Sequence, residues 1–419
     1  MRVLLAALCV AVSVVDPAVN STLASSPDTL RILESEFITV DRSAHPGFVQ
    51  LEGDWVEARA AAAQARAFPN PRLEYLREAY EGNRSTSTLL LNWVWPWDGR
   101  RGLRTAAADQ AAGAAAERLS AERLSARTYL REIYAEWAQQ GERGVLYAEV
   151  HDRIERLADQ QRARAAAGEA SRLDARRLEL ASTEVGVQRA LAEAARVSAE
   201  ARAAAWRPEL FEPGHPTRTV RPLRPTLPPT PSPTALAETS EPALVRAARR
   251  EVTRGELEAR LARRSWESPE LTAGAVTDRA DDVSDGAVAL GVAWALPILD
   301  RGGAQRVAKG ASLHATRARL DRLERDAESA RAAALVNYTT LRAAAETASS
   351  ATEGLLSTIE AAAESYRFGE SSLTDLLGTL QLVLSSGTAA IELRYAALGA
   401  HRDLESALGV ELVSEGGSR

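Results

Sequence analysis

Two stretches of the chain alternate large apolar side chains with small or polar ones. Each is followed by a helical pattern far too long for a compact domain. In residues 88–97, Leu89, Leu91, Trp93, Trp95 and Trp97 fall on one face of a two-residue repeat. In residues 286–296 the same repeat puts Val288, Leu290, Val292, Trp294 and Leu296 on one face. Ala287, Ala289, Gly291, Ala293 and Ala295 occupy the other. A second extended stretch precedes each of these, at 72–80 and 270–278, separated by the polar turn 81–87 and the acidic turn 278–285. Large apolar groups on one face and small ones on the other suit a strand that faces lipid. A strand buried on both faces is the alternative reading.

Helices 46–67 and 242–266 lead into these strand pairs and stop at Pro69, Pro71 and Pro269, because proline lacks the donor a helix needs. Beyond the strands, Asp98-Gly99-Arg100 and Asp300-Arg301-Gly302-Gly303 break the extended run. Unbroken helices are then expected over Leu103–Ala166 and Gly303–Tyr366, each roughly 95 Å at 1.5 Å per residue. Both end in a glycine turn, where a left-handed backbone can close a helix. Shorter helices return over 171–205 and 372–408. Their lengths predict end-to-end columns, 171–205 continued by 242–266 and 372–408 by 46–67. Residues 206–241, rich in proline from Pro208 to Pro233, are expected to be a loosely ordered, extended, non-helical belt at mid-height. Ser26-Pro27-Asp28 suggests the capped start of a short helix over 27–38.

The chain says all of this twice, at an offset of about 200 residues, which marks a duplicated unit. Gly168-Glu169-Ala170-Ser171-Arg172-Leu173-Asp174 returns as Gly369-Glu370-Ser371-Ser372-Leu373-Thr374-Asp375. Trp95-Pro96-Trp97-Asp98-Gly99 returns as Leu296-Pro297-Ile298-Leu299-Asp300-Arg301-Gly302, and Asn70-Pro71-Arg72-Leu73 as Ser268-Pro269-Glu270-Leu271. The organisation expected is a first repeat over 27–205, the Pro-rich linker 206–241, a second repeat over 242–410 and a disordered tail over 411–419.

Composition sharpens the class. Ala and Arg dominate, aromatic residues make up 5%, Lys309 is the only lysine, and the net charge of −6 leaves no basic footprint for nucleic acid. Residues 3–15 form an apolar run behind Met1-Arg2, too short to span a bilayer and suited to a secretory leader over 1–25. Removal of that leader takes Cys9, the only cysteine, and with it any disulfide. No later run reaches the length of a membrane-spanning helix. Four strands cannot close a barrel, so transmembrane strands would require several copies of the chain.

The order of leader, Asn-Pro-x-Leu strand, Pro-x-Asp-Gly turn, long helix and Gly-Glu-[Ala/Ser]-Ser turn, given twice over 27–410, resembles the TolC-like outer-membrane efflux proteins. The stretch Phe68-Pro69-Asn70-Pro71-Arg72-Leu73 is most similar to their CzcC-type cation-efflux branch. The resemblance implies a mainly α fold with a small β part: long antiparallel helical hairpins and four transmembrane β-strands per chain, assembled as a homotrimeric β-barrel and α-barrel. It implies a passive conduit in the bacterial outer membrane, extending into the periplasm. Its partners would be outer-membrane lipid, a periplasmic adaptor (membrane fusion) protein and an inner-membrane pump of the resistance-nodulation-division type. The cargo would be heavy-metal cations, drugs or other small molecules. The rivals are a periplasmic adaptor and a structural coiled coil, neither of which needs two Trp-rich strands at matched positions.

No catalytic set, cofactor site or metal site is expected. His45, His151, His215, His314 and His401 are scattered, with no second histidine or cysteine at ligand spacing. The family resemblance maps adaptor contact onto Gly168, Glu169, Gly369 and Glu370 at the periplasmic tips. It maps a gate ring of carboxylates onto Asp174 and Asp375; plain helix capping is the other reading of both. Trp93, Trp95, Trp97 and Trp294 are candidates for an aromatic girdle at the membrane boundary or for ordinary apolar cover. Pro96, Asp98, Gly99, Pro297, Asp300 and Gly302 form the strand-to-helix turns.

Overall fold

The computed structural model describes residues 29–38, 46–81, 84–211, 219–239, 241–264, 268–280, 283–296 and 298–412. The expected leader with Cys9, His45, His215, Pro297 and most of the expected tail lie outside them. The first repeat comprises α2 (Pro46–Arg66), β2 (Arg72–Tyr80), β3 (Arg84–Val94), α3 (Arg100–Ala166) and α4 (Arg172–Trp206), after a short β1 (Thr29–Ile32) and α1 (Glu34–Phe37). The linker carries β4 (Thr219–Pro222) and α5 (Pro233–Glu238). The second repeat comprises α6 (Ala243–Ala262), β5 (Glu270–Ala280), β6 (Val283–Ala293), α7 (Gly303–Ala351), α8 (Leu355–Arg367) and α9 (Leu373–Leu408).

One antiparallel sheet in the order β2-β3-β5-β6 takes strands from both repeats, so the duplication closes on itself through β3 and β5. Strands β3 and β6 begin nearer the hairpin tips and end earlier than the alternating pattern implies. Trp95 and Trp97, and in the second repeat Trp294 and Leu296, therefore lie past the strand ends. Beneath the sheet the helices pack in a parallel array. α3 is its spine, in contact with α2 and α6 in its first half and with α4 and α9 in its second. A cluster around Val150, Ile154, Leu178, Leu376 and Leu380 joins α3, α4, α8 and α9 towards the tips.

Several expectations are corrected. Residues 29–32 are a strand, paired in parallel with β4 (Thr29 opposite Thr219), and only 34–37 are helical. The partner that makes 29–32 extended lies far away in sequence, beyond the reach of local pattern. The belt includes a helix, α5, because Pro233 stands at its first position, where no donor is missed. Nor is the described belt loose. Tyr134 Oη donates to Leu223 O (2.8 Å), Tyr338 Oη donates to Pro228 O, and Arg342 Nη1 donates to Thr230 Oγ1 (2.8 Å). At the tail, Leu412 N donates to Glu405 Oε1 (2.9 Å) and Glu411 pairs with Arg127 (2.6 Å), so these two residues are seated.

The second descending helix is interrupted at Thr352–Gly354, where Gly354 takes φ of +80° and α8 restarts. The columns also pair differently. A Cβ on Gly409, which ends α9, would stand 2.8 Å from Pro242, the N-cap of α6, so α9 continues into α6. At the end of α4, Arg207 Nη1 donates to Glu36 O (2.9 Å) and Phe37 O (2.5 Å), just before α2. Each column is thus built inside one repeat, of 21 and 35 residues in the first and 20 and 36 in the second. Length alone could not discriminate these pairings from the crossed ones. Finally, α9 is long and apolar enough in composition to cross a bilayer. One side of it packs against α3, α7 and α8, burying Leu376, Leu380, Leu398 and Leu404, while Leu382 stands exposed.

Candidate functional site

Cross-strand register builds continuous rows of side chains. On one face run Leu73-Leu91-Ala273-Leu290, Tyr75-Leu89-Ala275-Val288 and Trp93-Leu271-Val292. These side chains stand open: Val288 is 79% exposed and Leu290 81%. The other face is mixed: Leu76-Thr88-Val276-Ala287 forms an apolar row between polar ones. Arg72, Asn92, Thr272 and Gly291 share one; Glu78, Thr86, Asp278 and Asp285 share another. Thr272 Oγ1 donates to Asn92 Oδ1 (2.7 Å), Asn92 Nδ2 donates to Glu74 Oε2 (3.4 Å), and Thr86 Oγ1 donates to Asp278 Oδ1. Gly274 has no room for a side chain, since a Cβ would lie 2.2 Å from Leu89 O. The sheet is therefore apolar on one face over the half nearest the strand-to-helix turns and carries the acidic side chains on the other, with β2 and β6 as its edges among the described residues. The polar row escaped the sequence reading, although the alternation of Glu74 and Glu78 with Leu73 and Tyr75 signals it.

At the strand ends Trp93 and Trp95 meet edge to face (4.8 Å), and Trp93 Nε1 donates to Pro69 O (3.1 Å). Trp97 and Trp294, from different repeats, approach to 6.4 Å. Both strand-to-helix turns are closed by an aspartate and a left-handed glycine. Asp98 Oδ1 accepts from Arg100 N (2.9 Å) and Asp300 Oδ1 from Gly302 N (2.8 Å), while Gly99 and Gly302 take φ of +66° and +71°. Arg264, at the end of α6, donates to Asp98 O and fills the space beside Gly99, tying the second repeat to the first turn.

At the opposite end both hairpin tips close alike. Gly168 and Gly369 take φ of +80° and +77°; Glu169 N reaches Arg164 O (2.8 Å) and Glu370 N reaches Ser365 O (2.9 Å). All four residues are exposed. So is Phe368 (79%), which sequence reasoning passed over although it is a lone aromatic beside a turn glycine; the first repeat has Ala167 there. The two aspartates differ. Asp375 Oδ2 accepts from Ser372 N (3.0 Å) and Ser372 Oγ (2.7 Å) while Asp375 N donates to Ser372 Oγ (3.2 Å), a reciprocal cap. Those bonds from Ser372 hold its carboxyl below the usual carboxylate range. Asp174 is half-buried, and only its backbone N is bonded to Ser171 Oγ (3.3 Å).

Among the described residues the one cluster of a histidine with two carboxylates at ligand spacing is His151, Asp152 and Glu155, with His151 Nδ1 at 3.6 Å and 3.9 Å from the two acids. The Arg189 guanidinium lies 3.1 Å from Asp152 and 3.4 Å from His151, so a cation there would have to displace it. Mid-height polar groups are structural. Glu405, 1% exposed, pairs with Arg131, which also holds Glu34 (2.8 Å). Glu142 pairs with Arg394 and accepts from Tyr395 Oη, both at 2.8 Å.

Neither family models nor curated proteins match this sequence. Solved structures do. CusC, described with the conformational changes accompanying folding and transmembrane channel formation, superposes with a TM-score of 0.74 at 14% identity, over 90% of this chain and 92% of its own. The Vibrio cholerae outer membrane protein VceC gives 0.70 at 17%, over 90% and 96%. The Campylobacter jejuni CmeC outer membrane channel gives 0.70 at 16%, over 89% and 84%. This chain has their fold. The superposition takes in most of each chain in both directions. At these identities it is the architecture that is shared.

Proposed function

We propose that three copies of this chain form an outer-membrane channel of a tripartite efflux system, conducting solutes passively from an adaptor and an inner-membrane pump. The observation that carries this reading is the four-stranded sheet. One face carries an open apolar surface, the other carries the acidic side chains, and among the described residues both edges lack partners within the chain. In lipid such a sheet is stable only as part of a closed barrel, apolar side outward, because unpaired edge groups have no water to bond. Joining β2 of one copy to β6 of the next closes it, with Glu74, Glu78, Asp278 and Asp285 turned to the lumen. A soluble coiled coil or an adaptor has no use for that arrangement.

The glycine tips, with Gly168, Glu169, Gly369 and Glu370 exposed, are the surface offered to the adaptor, with Phe368 as an added apolar contact. Asp174 and Asp375 stand in the first turns behind them, where copies about an axis would bring them together as a ring. Acidic groups in the lumen and at this ring favour cations, in keeping with a cation cargo and a pump of the resistance-nodulation-division type. Reconstitution of the full chain in planar bilayers tests the reading. Discrete cation-preferring channels are expected, with the preference reduced in Asp375→Asn. Absence of conductance from membrane-inserted protein contradicts the conduit; unchanged selectivity in the variant removes Asp375 from the gate.

A further inference from the structure

The apolar rows of the sheet are too short for a membrane. From Val288 to Val292, or Leu89 to Trp93, the large side chains cover four residue steps, about 14 Å along the strand. At the tilt usual for such barrels this is about 10 Å of height, against an apolar band of about 25 Å. Towards the hairpin tips the same face turns polar. Its next rows are Arg77-Ser87-Thr277-Gly286 and Ala79-Ser85-Arg279-Ser284, and both arginines are exposed. Arginine on a lipid-facing wall is strongly disfavoured at mid-membrane and tolerated only near the boundary.

In the other direction the apolar surface continues. Past Val292 come Trp294 and Leu296, then Ile298 at 66% and Leu299 at 100% exposed. Trp95 and Trp97 extend it on the first repeat, and Trp97 meets Trp294. The chain turns sharply here, Ile298 N donating to Leu296 O (2.8 Å) as Trp97 N does to Trp95 O (3.0 Å), so these large side chains gather at the lower rim of the sheet instead of along a further length of strand. Charge resumes immediately afterwards, at Asp300 and Arg301, as it does at Asp98 and Arg100.

We infer that the bilayer sits low on this barrel. The strand-to-helix turn, through Trp294, Leu296, Ile298 and Leu299, is embedded in the acyl region of the inner-facing leaflet, and the hairpin half of the sheet stands in the headgroup layer. The occupant of this surface is lipid hydrocarbon. Trp93, Trp95 and Trp97 then lie within the apolar band, and Asp300–Arg301 marks its lower boundary. This placement rests on the channel reading, and its test separates the two.

Leu290→Cys, Leu299→Cys and Ser87→Cys, each with Cys9→Ser in the full chain, are labelled with an environment-sensitive fluorophore and reconstituted in phosphatidylcholine vesicles. Quenching is read with acyl-brominated lipid and with aqueous iodide. The inference expects several-fold stronger bromolipid quenching at 290 and 299 than at 87, and iodide access at 87 alone. Iodide access at 299, or bromolipid quenching at 87, overturns it while leaving the channel reading intact. Loss of bromolipid quenching at 290 as well overturns the channel reading itself.

Discussion

The long descending helices of the two repeats answer to the same sequence plan but live in different surroundings. α3 runs unbroken from Arg100 to Ala166 and buries residues along its length, Trp137, Tyr134, Val150 and Ile154 among them. α7 and α8 cover the same height in two pieces and, over the 49 residues of α7, bury only Tyr338 and Ala345. A helix enclosed by four others is fixed by packing. One left open on most of its circumference depends on surfaces outside the chain, and it can carry an interruption that its counterpart could not. Duplication has given one spine and one wall.

The comparison can be broken first at the spine. Trp137→Ala removes a side chain 1% exposed and packed on Phe37 and Phe211, and should cost about 3–5 kcal/mol in thermal or denaturant unfolding. Val336→Ala on the open side of α7 should change the same measurement by less than about 0.5 kcal/mol. Equal losses would show that the two helices are not differently enclosed.

Arg131→Ala, also on the spine, strands the Glu405 carboxylate in the interior, at a cost of about 3–5 kcal/mol. The double variant with Glu405→Gln should recover much of this loss.

Acid acts at the same junction. Burial, followed by the nearby charges of Arg131 and Arg402, pushes His401 down to about 4. The unfolded chain therefore takes up a proton that the folded chain refuses. Stability from this residue is whole above pH about 6.5 and falls as pH drops towards 4, by on the order of 3 kcal/mol. His401→Gln should flatten that part of the pH–stability curve.

Smaller effects belong to the interruption and the tips. Gly354→Ala forces a side chain into a left-handed backbone, costing about 1–2 kcal/mol, whereas Gly141→Ala inside α3, where a Cβ meets nothing, should be neutral or slightly stabilising. Ser372→Ala should cost about 1 kcal/mol and more than Ser171→Ala, because only the second tip has the reciprocal cap. That difference should shrink as pH falls through the lowered titration range of Asp375.

Sequence pattern carries the repeat, the strand faces and the tip turns because each rests on local chemistry: proline to end a helix, glycine to turn it, alternation to set a face. β2 is bounded cleanly by Pro71 and the polar turn. What it does not carry depends on distant partners or on an unusual neighbour. β1 is a strand only because β4 lies beside it. The break before α8 hides in Ala351-Thr352-Glu353-Gly354, where a lone glycine reads as tolerated helix interior. Glu74 and Glu78 mark the acidic rows locally, but the alignment of Glu78 with Thr86, Asp278 and Asp285 follows only from register.

The most direct test of the account is whether the two free edges of the sheet belong together. Leu73→Cys on β2 is combined in turn with Val288→Cys, Leu290→Cys and Val292→Cys on β6, with Cys9→Ser throughout, and oxidised in isolated outer membranes. Closure by neighbouring copies predicts that one pairing yields cross-linked species of two and then three chains, and none larger. A chain that stays monomeric with every pairing, in a fraction released from membranes by carbonate, would contradict it.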